Sequence, residues 1–278
     1  MNILVIGSSS YLGTNLINFY NSKNYKCFGA SRNKTDKINY KHILFNNEFN
    51  LKKILTENDI EVIFYCLNSY FKNPSPKQNN EMLEINYKTP LRLIDDINDS
   101  SLETKFINFS SYFNFFEVPI ESQEYKNTKL LFSNWLRENN NNNIKELVIS
   151  DTFGSWDKRN KIFNIILKNC YSKKNIEFTN PNNFINLICI DKLIEYVDSF
   201  INSLNTSEVF TSKFSIRVDQ LNDLIKNLIL DKECIFEDYF SYETRFNVEK
   251  SLYGEDTIAD IMNVIKNIDY KKFLTFND

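Results

Sequence analysis

Three side chains in the middle of the chain could carry out proton chemistry together: Ser111, Tyr125 and Lys129. Tyr125 and Lys129 are four residues apart, so on a helix they share one face. A phenol with an ordinary pKa of about 10 is a poor acid or base near neutrality. An ammonium group one helical turn away favours the phenolate, and lowering the phenol by about 3 units brings it to where proton exchange is efficient. A serine hydroxyl nearby can hydrogen-bond a carbonyl or alcohol oxygen. Together the three would support hydride transfer to or from the carbon that bears that oxygen. Tyr125 is the only one of the 15 tyrosines with a lysine four residues later. The spacing alone also fits a surface Tyr/Lys pair. What sets it apart is that its helical stretch, Gln123–Glu138, follows a strand-like run ending Phe109-Ser110-Ser111.

Hydride chemistry needs a carrier, and the N-terminus offers a place for one. The chain has only five glycines, two of them at Gly7 and Gly13, where an average composition would give about twenty in all. The apolar, β-branched run up to Ile6 reads as a buried strand. Leu12, Leu16, Ile17 and Tyr20 then fall at helical spacing. A glycine at the strand end permits a tight turn, and one in the first helical turn lets helix and strand pack closely. Backbone N–H groups and the positive end of the helix dipole then point at one spot, which suits a pyrophosphate. Gly7, Ser9, Ser10, Tyr11, Leu12 and Gly13 are the expected cradle. Ser10 stands where a three-glycine loop has its middle glycine, so the backbone must keep an ordinary φ there. The same strand–glycine–helix opening also begins α/β domains that bind no dinucleotide.

The choice of carrier is read after the second strand-like run, in Gly29-Ala30-Ser31-Arg32-Asn33-Lys34. NAD binders present an acidic residue there to the ribose 2′-hydroxyl. This stretch has none, and Ser31 with Arg32 suits a 2′-phosphate. NADP(H) is therefore preferred, with NAD(H) left open and a solvated basic turn as the bland alternative.

The elements that must position these residues alternate. Strand-like runs at Ile3–Ile6, Lys26–Ala30, Glu61–Cys66, Lys105–Ser110 and Glu146–Ser150 are separated by helical patterns to about Ser22, at Leu51–Leu55, at Asn80–Ile97 and at Gln123–Glu138. In the third of these, Met82, Ile85, Leu91 and Ile94 are available to face a core. The alternation predicts an α/β fold, a Rossmann-type doubly wound parallel sheet with helices on both faces. Ligands in such sheets sit at the carboxyl ends of the strands. Gly7, Arg32, Cys66–Asn68, Ser110–Ser111 and Thr152–Phe153 would lie on that edge. Residues 1–153 are read as the nucleotide-binding domain. Residues 154–278 are read as a smaller mixed α/β substrate lobe, some of whose elements return to the first domain. In the lobe Asn160–Cys170 looks helical, Ile185–Ile190 strand-like, and Asp191–Asn202 and Thr257–Ile268 helical.

Bulk numbers exclude several classes. The net charge of −3 leaves no electrostatic footprint for nucleic acid. No run approaches the roughly twenty apolar residues that span a bilayer. No basic region precedes the short N-terminal apolar run, so no secretory signal is expected. Cys27, Cys66, Cys170, Cys189 and Cys234 are scattered without a CxxC and read as reduced thiols of a cytoplasmic protein. His42 is the only histidine, which argues against His-rich metal sites and a Ser-His-Asp triad. No metal is expected.

Taken in order, these segments resemble the extended short-chain dehydrogenase/reductase family of nucleotide-sugar epimerases, dehydratases and ketoreductases. The likeness runs through Gly7…Ser10…Gly13, the strand Asp59–Cys66 with Cys66-Leu67 after it, the Asn86-containing helix Glu84–Pro90, and Ser110-Ser111 with Tyr125-x-x-x-Lys129. It continues through Ser150-Asp151-Thr152-Phe153-Gly154-Ser155-Trp156-Asp157 and Ile188-Cys189-Ile190-Asp191-Lys192-Leu193. The resemblance implies that Cys66, Leu67, Asn86, Thr152 and Phe153 contact the cofactor. It also implies that Lys129 holds the nicotinamide ribose and that the partner is a nucleotide-sugar. Within the family, the short gap from Ser111 to Tyr125 and the compact length look most like the CDP-paratose and CDP-abequose synthases. Those are NADPH-dependent 4-ketoreductases that make deoxysugars for surface polysaccharide. A dehydratase would want Asp-Glu after the hydroxyl residue, and Tyr112-Phe113 stand there instead. An NAD-retaining epimerase and a non-catalytic dinucleotide-binding protein remain alternatives. The arginine usual just before Ile188–Asp191 is missing, with Ile185 and Asn186 in that stretch, leaving Lys158, Arg159 or Lys161 to meet a diphosphate. Leu130, Leu131 and Trp135 suit either a homodimer helix contact of the kind common in the family or plain core packing.

Overall fold

The computed structural model describes residues 1–33, 39–100, 102–139, 141–155, 157–245 and 256–268. Lys34 and Trp156 fall outside them. The chain runs β1 (Asn2–Ile6), α1 (Tyr11–Ser22), β2 (Lys26–Ser31), β3 (Lys41–Leu44), α2 (Leu51–Asn58), β4 (Val62–Tyr65), α3 (Pro76–Leu83), a π-helical turn (Glu84–Lys88) and α4 (Thr89–Asn98). There follow β5 (Lys105–Ser111), α5 (Gln123–Asn139), β6 (Ile144–Ile149), β7 (Asp151–Phe153), α6 (Ile162–Tyr171), β8 (Phe184–Ile185), β9 (Leu187–Cys189) and α7 (Ile190–Phe200). The remainder is β10 (Ser207–Phe210), β11 (Phe214–Arg217), α8 (Val218–Ile229), β12 (Phe240–Tyr242) and α9 (Thr257–Asn267).

Seven strands form one sheet in the order β10-β6-β5-β4-β1-β2-β3. The β1–β2, β1–β4, β2–β3 and β4–β5 pairs are parallel. The order reverses between β1 and β4, and the Gly7 loop begins at their carboxyl ends, the position at which open α/β sheets bind ligands. One face of the sheet packs Leu4, Ile6, Phe28, Ile63, Tyr65, Phe106 and Ile144 against apolar residues of α2, α4 and α5. On the other face Tyr20 of α1 stacks on Phe64, with ring centroids 5.5 Å apart. The Rossmann-type doubly wound sheet expected from the alternation is the fold observed.

By contacts the chain divides into two units, Met1–Val148 with Tyr196–Glu208, and Ile149–Glu195 with Val209–Asp278. The first contains the large sheet up to β6 and recovers the end of α7. In the second, β7 and β9 pair in parallel, and β11 pairs antiparallel with both β8 and β12.

Two sequence expectations need correction. The run Asn80–Ile97 is not one helix: α3 and α4 are joined by the π turn, in which the Thr89 N–H reaches the Glu84 carbonyl. Pro90 has no N–H to give to the carbonyl four residues earlier, which helps to break the regular ladder here. The run Ile185–Ile190 is not one strand, because the buried Asn186 splits it. Its amide bridges the Ser212 backbone, with Nδ2 donating to the carbonyl at 2.8 Å and Oδ1 accepting from the N–H at 2.9 Å. The short edge strand β3 carries no expectation from sequence at all.

Candidate functional site

The loop after β1 is held by its neighbours on both sides. Gly7 has φ of +91°, and a side chain there would come within 2.9 Å of Cys66 and Leu67 backbone atoms at the end of β4. Gly13 sits over the Gly7 carbonyl, where an added Cβ would lie 2.3 Å from that oxygen. Ser10 caps α1: its Oγ accepts the Gly13 N–H at 3.0 Å, with φ of −71° and ψ of 159°. The serine thus keeps the ordinary φ that its Cβ requires and supplies a cap that glycine would not. The first turn of α1 contains no acidic residue, and Ser9 is exposed. The helix start is electrostatically fit for an anion. Tyr11 and Leu12 are its first two residues and are half-buried.

The next wall is β2 and β3. Ser31, buried at the end of β2, donates its hydroxyl to the Asn33 carbonyl at 2.9 Å or to His42 Nε2 at 2.8 Å. Arg32 follows it, exposed. From the β3 side, the Tyr40 hydroxyl donates to Ser8 Oγ at 3.3 Å. Its ring lies so close to Gly29 that an added Cβ would fall 2.2 Å from a ring carbon. Tyr40, just before β3, and His42, within it, therefore shape this wall, and neither was legible in the sequence, since nothing marked β3.

After β4, Cys66 is buried and its N–H donates to the Ile6 carbonyl at 2.7 Å. Burial pushes its thiol well above the ordinary range, so it is packing and not a nucleophile. Leu67 packs against the core beneath. Asn86, turned inward by the π turn, is buried and fully engaged. It accepts from the Ser69 N–H at 3.0 Å and donates to the Ser69 carbonyl at 2.8 Å and to Thr128 Oγ1 at 3.1 Å. It ties the loop after β4 to α5.

The three proton-chemistry residues lie on two neighbouring elements, Ser111 on β5 and Tyr125 and Lys129 on α5. Ser111 ends β5, and its Oγ accepts the Phe113 N–H at 3.3 Å. The Phe113 ring stands edge-on to Tyr125, 6.1 Å between centroids. Tyr70 also stands edge-on to Tyr125, at 5.0 Å, its hydroxyl 3.0 Å from Ser122 Oγ. Lys129, one turn further along α5, is 2% exposed. Its Nζ donates to the Phe109 carbonyl at 3.1 Å, two residues before Ser111. Burial pulls its pKa down to about 8, and Glu146 acts against that pull. Tyr70 and Phe113, both missed from sequence, are the walls that orient Tyr125. Trp135 and Leu130 are half-buried on α5, Trp135 against the core cluster, while Leu131 is exposed.

The remaining candidates lie in the second unit. Thr152 and Phe153 are on β7, and Phe153 is fully buried with its ring 4.9 Å from that of Phe163. Arg159 is held by the buried Asp157, Nε to Oδ1 at 2.8 Å and Nη2 to Oδ2 at 2.7 Å. Its Nη2 also donates to the Thr152 carbonyl at 2.9 Å. Lys161 pairs with Asp151 at 3.2 Å. A cation that sequence reading missed, Arg245, is held in the same way by the buried Glu243, which in turn accepts from Asn186.

A family model described as "NAD dependent epimerase/dehydratase family" matches residues 3–183. A search of curated protein sequences finds no significant match. Among solved structures, a UDP-glucose 4-epimerase from Thermotoga maritima with UDP-glucose has a TM-score of 0.75 at 15% identity, covering 99% of this chain and 100% of that one. MoeE5 in complex with UDP-glucose and NAD has a TM-score of 0.74 at 14% identity, covering 98% and 99%. A dTDP-glucose 4,6-dehydratase from Bacillus anthracis in complex with NAD has a TM-score of 0.71 at 13% identity, covering 96% of each. At these identities the likeness is one of fold, and it extends over the length of the chain. No helix among the described residues is long and apolar enough to cross a membrane.

Proposed function

The chain belongs to the NAD dependent epimerase/dehydratase family, and from that premise we propose that it is an NADPH-dependent reductase of a nucleotide-linked 4-keto sugar. The observation that carries the cofactor choice is the end of β2, where Ser31 and Arg32 stand and the stretch Gly29–Lys34 contains no acidic residue for a ribose hydroxyl. Gly7, Ser9, Ser10, Tyr11, Leu12 and Gly13 would hold the pyrophosphate, and Ser31 with Arg32 the 2′-phosphate. Cys66, Leu67, Asn86 (through Ser69), Thr152, Phe153, Tyr125 and Lys129 would serve the rest of the dinucleotide. When bound, it supplies the hydride. Ser111 hydrogen-bonds the C4 oxygen. Tyr125 gives that oxygen its proton as the carbonyl becomes an alcohol. The Lys129 ammonium makes the phenol a better acid by favouring the phenolate left behind. We assign Arg159 and Arg245 to the substrate diphosphate. Each is partly exposed, with side chains 34% and 27% accessible, and each is aligned by a buried carboxylate.

Dehydration is disfavoured because Tyr112 and Phe113, neither of them acidic, occupy the positions after Ser111, with Phe113 packed on Tyr125. The second reading is an epimerase that keeps its NAD. The fully engaged Ser31 hydroxyl favours it, since a group already bonded to Asn33 or His42 is less ready to meet a phosphate.

The test is thermal stabilisation of the purified protein by NADPH, NADP, NADH and NAD, alongside Arg32→Ala. NADP(H)-selective stabilisation that is lost in the variant supports the reductase. Tight NAD(H) carried through purification supports the epimerase. Stabilisation by none of the four, with none co-purifying, overturns both.

A further inference from the structure

Along β6, Ile144 and Glu146 are two residues apart and so lie on one face of the sheet. Ile144 sits in the apolar cluster with Phe132 and Leu136 of α5. A carboxylate in the next position breaks that pattern, yet Glu146 is 2% exposed. A buried carboxyl of this kind needs hydrogen-bond donors and a counter-charge. The donors are present: Ser133 Oγ donates to Glu146 Oε1 at 2.8 Å. Asn114 Nδ2 reaches both Ser133 Oγ and Ser110 Oγ at 3.1 Å. The network therefore ends at the residue before Ser111. Asn108, on the same face of β5 as Ser110, is also buried.

We propose that Glu146 is a positioning residue for the proton chemistry, the counter-charge that keeps Lys129 in its ammonium form beneath Tyr125. The inference rests on the reading of Tyr125 and Lys129 as the reacting pair. Lys129 is as buried as Glu146 and bonds through Nζ to a carbonyl, a neutral partner. Ser133 joins the two: its hydroxyl can donate to Glu146 Oε1 at 2.8 Å or to the Lys129 carbonyl at 3.4 Å, and, consistent with this, burial lowers the lysine and raises the carboxyl while each opposes the shift in the other. The groups around the pair come from α5 and β5. Lys129 and Arg137 of α5 act on Glu146 as charges, and Ser110 of β5 and Ser133 of α5 act as hydrogen-bond donors. The Phe109 carbonyl of β5 faces Lys129. Without Glu146, desolvation alone would carry Lys129 toward a neutral amine at working pH, and a neutral amine gives a phenolate no support.

The test is a titration of cofactor-free protein labelled with carbon-13 at the lysine ε carbons, with Lys129 assigned by its loss in Lys129→Met. Glu146→Gln keeps the shape and an acceptor for Ser133 but removes the charge, and Glu146→Asp keeps the charge. The expected result is a Lys129 midpoint about one pH unit lower in Glu146→Gln, with Glu146→Asp nearer to the wild type. A Glu146→Gln midpoint at or above the wild-type value overturns the proposal, as does a Glu146→Asp midpoint as low as that of Glu146→Gln. The reciprocal measurement needs no Glu146 variant. The Glu146 carboxyl carbon should titrate at higher pH in Lys129→Met than in the wild type, and an unchanged midpoint also overturns the pairing. Nucleotide binding is read separately by thermal shift. Loss of the reductase reading with the pairing intact is thus distinct from the converse.

Discussion

Tyr125 is packed edge-on against the rings of Tyr70 and Phe113, so Tyr125→Phe removes a hydroxyl and leaves the ring packing in place. Hydride transfer should fall by roughly 10²–10⁴-fold, the contribution of a positioned general acid, with the NADPH-induced melting shift retained. Equal loss of both would place Tyr125 in binding alone. Lys129 has the opposite profile. Its folded pKa of about 8 lies below its ordinary value of 10.5, so between those values the unfolded chain binds more protons. Stability from this group rises with pH from about 8 to about 10.5, and below 8 the full cost of burying the ammonium is present. Lys129→Met should therefore raise the stability of the cofactor-free protein at pH 7 by about 1–3 kcal/mol, with Glu146 taking up a proton, while abolishing hydride transfer. The gain should fade above pH 10. A destabilised Lys129→Met at pH 7, measured by denaturant unfolding, would contradict this. Lys129 and Tyr125 were legible because their spacing survives in one dimension. Tyr70, Phe113 and Glu146 were not, because an aromatic beside an aromatic, or a glutamate within a strand, has no signature until β5 and α5 are packed together.

At the scale of elements, the β1–α1 junction depends on two contacts that the sequence only partly disclosed. The glycines were readable as positions of close approach, and the structure supplies the obstacles: the β4 end for Gly7, the Gly7 carbonyl for Gly13. Gly13→Ala should push α1 off β1, costing several kcal/mol and abolishing nucleotide-induced stabilisation. A variant with unaltered melting and binding would show the junction to be slack. At Ser10 the order of effects is diagnostic: Ser10→Ala should cost about 1 kcal/mol through loss of the helix cap, and Ser10→Gly only a few tenths. The regular strand–helix alternation gave away the elements from β1 to β6 because period-2 and period-3.6 patterns dominate there. β3 stayed hidden because it is a short edge strand of four residues with none fully buried, so no buried face imposed a pattern. The π turn was unreadable because one extra residue in a helix leaves the apolar spacing nearly unchanged. α8, by contrast, has Leu221, Leu224, Ile225 and Leu228 buried at helical spacing.

At the scale of the whole chain, the strand order places the sheet's reversal at β1 and β4, beside the one loop with two glycines. Local sequence cannot give that order, but alternation with right-handed crossovers restricts it strongly. The return of residues 196–208 to the first unit follows from long-range pairing, such as Glu146 N–H to the Thr206 carbonyl at 2.8 Å, and no linear pattern marks it. The proposed reductase and the alternative epimerase differ in whether the hydride leaves with the product. The decisive measurement is to mix the protein with NADPH carrying deuterium at the transferable position and a panel of nucleotide-linked 4-keto-6-deoxyhexoses, following absorbance and the product by mass. The expected result is NADPH consumed in step with sugar, and one deuterium retained at C4. No NADPH consumption, together with C4 inversion of a nucleotide-hexose by protein that already carries NAD, would contradict it.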